Sequence, residues 1–266
     1  MLKYPLYSTL FILITLITAC SKEGAPIIFE SAEKFLGNGD YIRALETYNH
    51  LADKYPESIY APTSKYKIGL IHHIYMGDKQ RALEAYFSLI LMYPESKDIA
   101  FARKDMAEIY SNDGDHRRAI GEYQWFIENS TGTERDDFRY HIAMEYQKLS
   151  DFKQAIIELQ DILKDSPFTP IAPKLYYQIA TNQYLDGNLN EAIDTYDRLV
   201  SFYPENHLSL EARLGKAIAM EEQDRLIEAK EILRSLEATY PNKDVIKVRL
   251  SWINKRIKEG PSRRRR

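Results

Sequence analysis

The stretch DGNLNEAIDTYDRLVSFYPEN, residues 186–206, recurs with substitutions along most of the chain. Two clear copies are NGDYIRALETYNHLADKYPES at 38–58 and MGDKQRALEAYFSLILMYPES at 76–96, and three weaker copies lie at 113–132, 149–168 and 223–242. Each copy holds an alanine at the same place, and successive alanines are 36 to 38 residues apart. These alanines are Ala44, Ala82, Ala119, Ala155, Ala192 and Ala229. A fixed period of this length is typical of a protein built by repeating one helical unit.

Each repeat is predicted to contain two helices. The second helix begins after Gly-Asp or a polar equivalent, because glycine permits the turn and aspartate caps a helix. In the copy at 186–206 the apolar residues Ala192, Ile193, Tyr196, Leu199 and Val200 recur at helical spacing. The helix ends at Tyr-Pro, since proline cannot continue a helix. The sequence therefore predicts an all-α fold of six helix pairs.

A second small residue lies twelve or thirteen positions before each repeated alanine, on the first helix of the pair. These residues are Ala32, Gly69, Ala107, Ala143, Ala180 and Ala217. Small side chains on both helices let the two axes approach closely, so the repeated alanines are predicted to be packing positions where a larger side chain would overpack. The interval from Gly69 to Ala82 is one residue longer than the others. This predicts a one-residue insertion within LIHHIYMGD, residues 70–78.

The chain after the last repeat is predicted to form a cap and a tail. Residues 244–259 carry an apolar stripe with lysines and arginines opposite, which predicts an amphipathic capping helix over the last repeat. The stripe consists of Ile246, Leu250, Ile253 and Ile257. Residues 260–266 are predicted to be a disordered basic tail; contact of Arg263–Arg266 with anionic lipid headgroups is the alternative.

The first 19 residues differ from the rest of the chain, because they hold one charge, the apolar run LFILITLI and then small residues. This run is too short to span a bilayer, so a cleaved export signal is favoured over a transmembrane helix. Ile17, Thr18, Ala19 and Cys20 resemble the lipobox of bacterial lipoprotein signal peptides. That resemblance implies a signal peptide at 1–19, fatty acyl chains on Cys20 and a lipidated tether at 20–26. The alternative is that Cys20 ends an ordinary secretory signal.

The composition argues against several classes of function. A net charge of -3 with both signs interspersed gives no case for a nucleic-acid-binding protein. The single cysteine excludes an internal disulfide framework and a cysteine-rich zinc site. The six histidines show no ligand spacing, and the adjacent His72 and His73 point to different faces of a helix. No catalytic residue, metal site, cofactor or small-molecule substrate is therefore predicted, and a protein that is not an enzyme is favoured.

The order of small residue, Gly-Asp, alanine, aromatic residue and proline resembles the tetratricopeptide repeat over residues 27–243. This resemblance implies a solenoid of six helix pairs plus the capping helix, in which each repeat contacts mainly its neighbours and the stack forms a right-handed superhelix. The chain departs from the family in its period, which is longer than the usual 34 residues, and in lacking a tryptophan near the start of the first helix.

In solenoids of this family the first helix of each pair lines the concave face, which is the expected partner-binding groove. Counting from the small residues places a set of side chains there, from which the predicted groove residues are Tyr66, His73, Lys104, Tyr140, Gln147, Tyr177 and Tyr184. Tyrosines can hold an extended peptide, because each offers apolar area and a hydroxyl at low entropic cost. Packing of these rings between neighbouring helices is the alternative.

The lipobox, the repeats and the segment GDYIRALETYNHLADKYPESIYAPTSKYKIG at 39–69 resemble the BamD-like outer-membrane assembly lipoproteins. Their YP-x-S-x-Y turn is matched by Tyr55, Pro56, Ser58 and Tyr60. The resemblance implies a lipid-anchored scaffold on the periplasmic side of the outer membrane, which binds a barrel-assembly subunit and unfolded outer-membrane protein segments. Ser21 after the cysteine, in place of aspartate, fits sorting to that membrane. The alternative is a cell-envelope coordinator resembling the Tol-Pal-associated tetratricopeptide proteins.

Overall fold

The computed structural model describes residues 24–260, which form thirteen α-helices, one short π-helix and no strand. The helices are α1 (Gly24–Gly37), α2 (Tyr41–Lys54), α3 (Ala61–Leu70), the π-helix (Ile71–Tyr75), α4 (Lys79–Met92), α5 (Asp98–Asn112), α6 (His116–Asn129), α7 (Gly132–Lys148), α8 (Phe152–Asp165), α9 (Ala172–Leu185), α10 (Leu189–Phe202), α11 (Leu208–Glu222), α12 (Leu226–Leu236) and α13 (Lys243–Glu259). The odd-numbered helices α1 to α11 are the predicted first helices, the even-numbered ones are the second, and α13 is the predicted cap. The fold class is confirmed.

The helices form two compact units that divide between Asp115 and His116. In the first unit each helix from α1 to α5 packs on the next, and α3 also contacts α5. In the second unit each helix from α6 to α13 packs on the next, and α9 also contacts α11. The two helices of the third predicted pair, α5 and α6, therefore belong to different units. Contacts within each unit run between neighbours, as in other repeat folds.

The first described helix begins at Gly24, so residues 24–26 of the tether predicted at 20–26 are helical. The signal peptide, Cys20 and the tail arginines Arg263–Arg266 lie outside the residues that the structure describes. None of the helices between residues 24 and 260 is long and apolar enough to cross a lipid bilayer.

The turn inside each pair has the same backbone conformation in all six repeats. The residue five positions before each repeated alanine has a positive φ, between 59° and 81°. Four of these residues are glycines, and the other two are Ser150 and Asp224. The aspartate caps predicted from Gly-Asp are also present: the carboxylates of Asp40 and Asp78 accept hydrogen bonds from the backbone N–H three residues on, at 3.2 and 3.0 Å. Turn and cap together fix where each second helix begins.

Replacing Ser150 with glycine is expected to stabilise the protein. Ser150 has a φ of 59°, a left-handed conformation that costs an L-residue about 1–2 kcal/mol and glycine almost nothing. The gain is expected to be about 1 kcal/mol after the larger unfolded-state entropy of glycine is subtracted. Chemical denaturation followed by circular dichroism measures it. Asp224→Gly should gain less, because Asp224 also binds Arg256 at 3.2 Å. A Ser150→Gly variant less stable than wild type would contradict this account.

The repeated alanines are fully buried in both units. The small residues of the first helices are also buried. The extra residue predicted in LIHHIYMGD is accommodated by the π-helix Ile71–Tyr75, where the backbone N–H of Met76 donates to the carbonyl of Ile71 five residues earlier. A single inserted residue commonly widens one turn of a helix in this way. The predicted irregularity is confirmed.

The capping helix α13 buries the predicted stripe residues Ile246, Leu250 and Ile253. The sequence predicts lysines and arginines on the opposite side of this helix, but that side also carries apolar residues. A second apolar stripe of Val245, Val248 and Trp252 is exposed there.

Candidate protein-binding surfaces

The seven predicted groove residues are divided between the two units. Tyr66, His73 and Lys104 lie in the first unit, and the other four lie in the second: Tyr140, Gln147, Tyr177 and Tyr184. Each unit therefore has its own candidate surface.

In the first unit, an aromatic pair joins the first helices α3 and α5. The ring of Tyr66 is half-buried, with its centroid 5.8 Å from that of Phe101 and 6.0 Å from that of Tyr86. Phe101 is 54% exposed, and Lys104, one turn further along α5, is also exposed. Together, Tyr66, Phe101 and Lys104 form what we call the Tyr66 surface. It offers apolar area beside a cation.

A hydrogen-bonded carboxylate lies under the Tyr66 surface. The fully buried Tyr86 donates its hydroxyl to Oδ2 of Asp105 at 2.8 Å. Burial raises the pKa of Asp105, while the hydrogen bond from Tyr86 and the nearby His73 act in the opposite direction. Burial, with a smaller contribution from Asp105, also raises the pKa of Tyr66. The predicted groove residue His73 is therefore a half-buried neighbour of this carboxylate, and its Nδ1 is buried without a hydrogen-bond partner.

The variant Asp105→Asn is expected to gain stability relative to wild type as the pH rises. The folded-state pKa of Asp105 lies above its ordinary value of 3.8, so its contribution is present at low pH and is lost as the pH rises through the folded pKa. Asparagine keeps an acceptor for Tyr86 and has no charge to bury. Urea unfolding between pH 4 and 7 measures the difference, with the exposed Glu95→Gln as control. A difference that is constant or falls with pH would show that Asp105 does not titrate as described.

In the second unit, two predicted groove tyrosines are largely engaged in packing. Tyr140 is buried, and Nζ of Lys174 lies 3.7 Å from its ring centroid. Tyr177 is half-buried, with its ring centroid 6.1 Å from that of Tyr196. Burial raises the pKa of both Tyr140 and Tyr177. The alternative interpretation, packing between helices, describes Tyr140 well.

Tyr184 and Gln147, the other two predicted groove residues, are half-buried. The hydroxyl of Tyr184 donates to Glu222 on α11. Burial raises the pKa of Tyr184 to about 12, and the Glu222 carboxylate adds to this rise. Tyr240 likewise donates to Glu211 on α11, at 2.9 Å to Oε2. Tyrosine-to-carboxylate hydrogen bonds therefore tie elements of the second unit together.

The exposed stripe on α13 borders a cleft of about 670 Å³ that we call the C-terminal cleft. Its walls include Glu221, Val245, Val248, Arg249 and Trp252. Arg249 donates to Oε2 of Glu221 at 3.3 Å, and Trp252 is 60% exposed. This cleft was not predicted from the sequence, although the spacing of Val245, Val248 and Trp252, three and then four residues apart, is that of a second helical stripe.

Each of these two surfaces has an exposed aromatic side chain near a cation: Phe101 near Lys104, and Trp252 near Arg249. Within residues 24–260, no group of three or more His, Cys, Asp or Glu side chains is placed to hold a metal ion. Helices that contact mainly their neighbours form a repeat architecture, whose extended surfaces are suited to binding other proteins.

Residues 174–206, which span most of α9 and all of α10, match the family model of the tetratricopeptide repeat. No curated protein sequence matches the chain significantly. Tetratricopeptide proteins generally act as scaffolds and not as catalysts.

Several solved structures are similar to this chain in fold. A tetratricopeptide repeat protein from Parabacteroides merdae has a TM-score of 0.54 at 17% identity, covering 87% of this chain and 99% of its own. PilW, a type IV pilus biogenesis factor, has a TM-score of 0.52 at 15% identity, covering 86% and 99%. The C-terminal part of a repeat protein from Cytophaga hutchinsonii has a TM-score of 0.58 at 19% identity, covering 79% and 78%. At these identities the likeness establishes the fold alone.

Proposed function

We propose that the chain is a lipid-anchored scaffold on the periplasmic side of the outer membrane, where it binds protein partners during assembly of outer-membrane β-barrel proteins. The tetratricopeptide fold supports the scaffold part of this proposal. The location and the task rest on the lipobox-like residues ending at Cys20 and on the resemblance of residues 39–69 to BamD-like lipoproteins.

The Tyr66 surface is the observation that favours partner binding in the first unit. Phe101 is 54% exposed although its ring packs at a tilt against Tyr66, and Lys104 lies one helical turn away. Aromatic residues that combine exposure with a fixed position are common anchors in protein interfaces. Beneath the Tyr66 surface lies Tyr86, whose hydroxyl donates to Asp105 and whose ring centroid is 6.0 Å from that of Tyr66.

The variant Phe101→Ala should weaken binding of the purified periplasmic part of the barrel-assembly subunit by at least about fivefold. Its effect on stability should be small, because half of the ring is already in water. Phe87→Ala is the matched control, since Phe87 is 51% exposed and lies on the second helix α4 of the same unit. Binding measured by surface plasmon resonance that is equal in both variants would contradict the role of this surface.

Depletion in the source bacterium tests the cellular task. The expected result is a fall in the levels of outer-membrane barrel proteins, with recovery of a barrel-assembly subunit in crosslinked complexes. Unchanged barrel levels together with recovery of Tol-Pal components would favour the cell-envelope coordinator instead.

A further inference from the structure

A narrow cleft in the second unit lies between α8, α9 and α10. Its volume is about 240 Å³, below the range typical of pockets for drug-sized ligands, and it is open to solvent on one side. The side chains of Leu163 and Ile179 form apolar parts of its wall, and the aromatic side chain of Tyr176 forms another part. A space of this size and shape suits one side chain of a partner better than a complete small molecule.

A buried amide in this cleft has an unmet hydrogen-bonding group. Gln183 on α9 is only 6% exposed, lines the cleft, and has no hydrogen-bond partner for its Oε1 atom. An unsatisfied buried polar group costs about 1–3 kcal/mol, so its retention calls for an explanation. Oε1 itself is shielded from solvent, so a rotation of the amide toward the cleft would let an entering donor supply the missing hydrogen bond. The nearly buried Thr195 on α10 lines the same space.

The charges at the cleft favour a cation. Glu191, Asp194 and Arg198 on α10 all line it and are exposed, which leaves one net negative charge at its edge. A guanidinium group matches this set well, because it carries five donors in a plane, pairs with carboxylates in a bidentate way and stacks on aromatic rings such as that of Tyr176. A lysine ammonium would satisfy the carboxylates but would not stack.

We propose that this cleft binds an arginine side chain of a protein partner, with Gln183 Oε1, Asp194 and Glu191 as acceptors and Tyr176 as the stacking wall. This inference rests on the proposed scaffold function and specifies the chemistry of one partner residue. The cleft is separate from the Tyr66 surface, which lies in the other unit.

Ligand-observed NMR titration of the full chain tests the proposal with two probes, N-acetyl-arginine methylamide and its neutral analogue N-acetyl-citrulline methylamide. The arginine probe should bind and the citrulline probe should not. Asp194→Asn should weaken binding about two- to fivefold, as expected for an exposed ion pair. Glu231→Gln, an exposed change on α12, is the matched control and should leave binding unchanged.

Gln183→Met separates recognition from folding. It removes the unsatisfied amide without changing the length of the side chain, so stability should be kept or raised while binding of the arginine probe is lost. Equal binding of both probes, or undiminished binding by Gln183→Met, would overturn the proposal. If the arginine probe fails to bind while Phe101→Ala still weakens partner binding, this inference fails and the scaffold function stands. If the probe binds but no partner does, the scaffold function fails instead.

Discussion

Replacing Gly69 with alanine is expected to destabilise the first unit, although alanine normally stabilises a helix relative to glycine by about 1 kcal/mol. A Cβ atom on Gly69 would lie 2.3 Å from Cε1 and 2.5 Å from Cδ1 of Tyr86. That ring is fully buried, and its hydroxyl is held by Asp105 at 2.8 Å, so it cannot move aside without breaking the hydrogen bond. Overpacking of this kind costs about 1–3 kcal/mol, and the loss of the hydrogen bond would add to it.

Amide hydrogen exchange in α3 and α4 measures this effect, and should show faster exchange in the variant. Gly121→Ala is the matched control, because a Cβ atom on Gly121, inside α6, would have no neighbouring atom within 4 Å, and the change should slow exchange in α6. The double variant Gly69→Ala, Tyr86→Leu should lose less stability than the sum of the two single losses, since the smaller side chain makes room for the new Cβ atom. Faster exchange in Gly69→Ala together with slower exchange in Gly121→Ala would establish close packing as the cause of the destabilisation. Slower exchange at both positions would show that helix propensity dominates.

The repeat pattern was sufficient to predict the helices because each of its features acts locally. The turn before each second helix needs glycine or another residue that tolerates a positive φ. Gly39, Gly187 and Ser150 occupy this position in three of the repeats. The extra residue between Gly69 and Ala82 becomes a π-helix because a helix can absorb one residue without losing its direction. Period, cap and turn therefore determine the order of helices.

The candidate surfaces depend on contacts between residues far apart in the sequence, which the repeat does not specify. Tyr86 and Asp105 are 19 residues apart, and Tyr240 and Glu211 are 29 residues apart. Which side chains meet across such distances depends on helix crossing geometry and not on the period. For the same reason the sequence placed Tyr140 in a groove, whereas Lys174 covers its ring. The buried Oε1 of Gln183 has no counterpart in any sequence pattern.

Replacing Cys20 with alanine is expected to remove the protein from the outer-membrane fraction, on the proposal that Cys20 carries acyl chains. Each buried methylene of an acyl chain contributes about 0.8 kcal/mol, and one chain alone gives only reversible binding. Lipidation with more than one chain is therefore a stable anchor, and its loss should leave either a soluble periplasmic protein or an uncleaved precursor. Cell fractionation and the intact mass of the purified protein measure the result. Wild type should be heavier than the polypeptide from Cys20 to Arg266 by the mass of the acyl chains.

The described helices should be unaffected by this change, because the first of them begins at Gly24, after Cys20. Circular dichroism of Cys20→Ala should therefore match wild type, which separates loss of the anchor from loss of the fold. Ser21→Ala is the matched control, since it leaves the lipobox-like residues intact and should preserve both the added mass and the membrane location. If Cys20→Ala is processed normally and stays in the outer-membrane fraction, Cys20 is not the anchor. An added mass on Cys20→Ala would place the acyl chains on another residue.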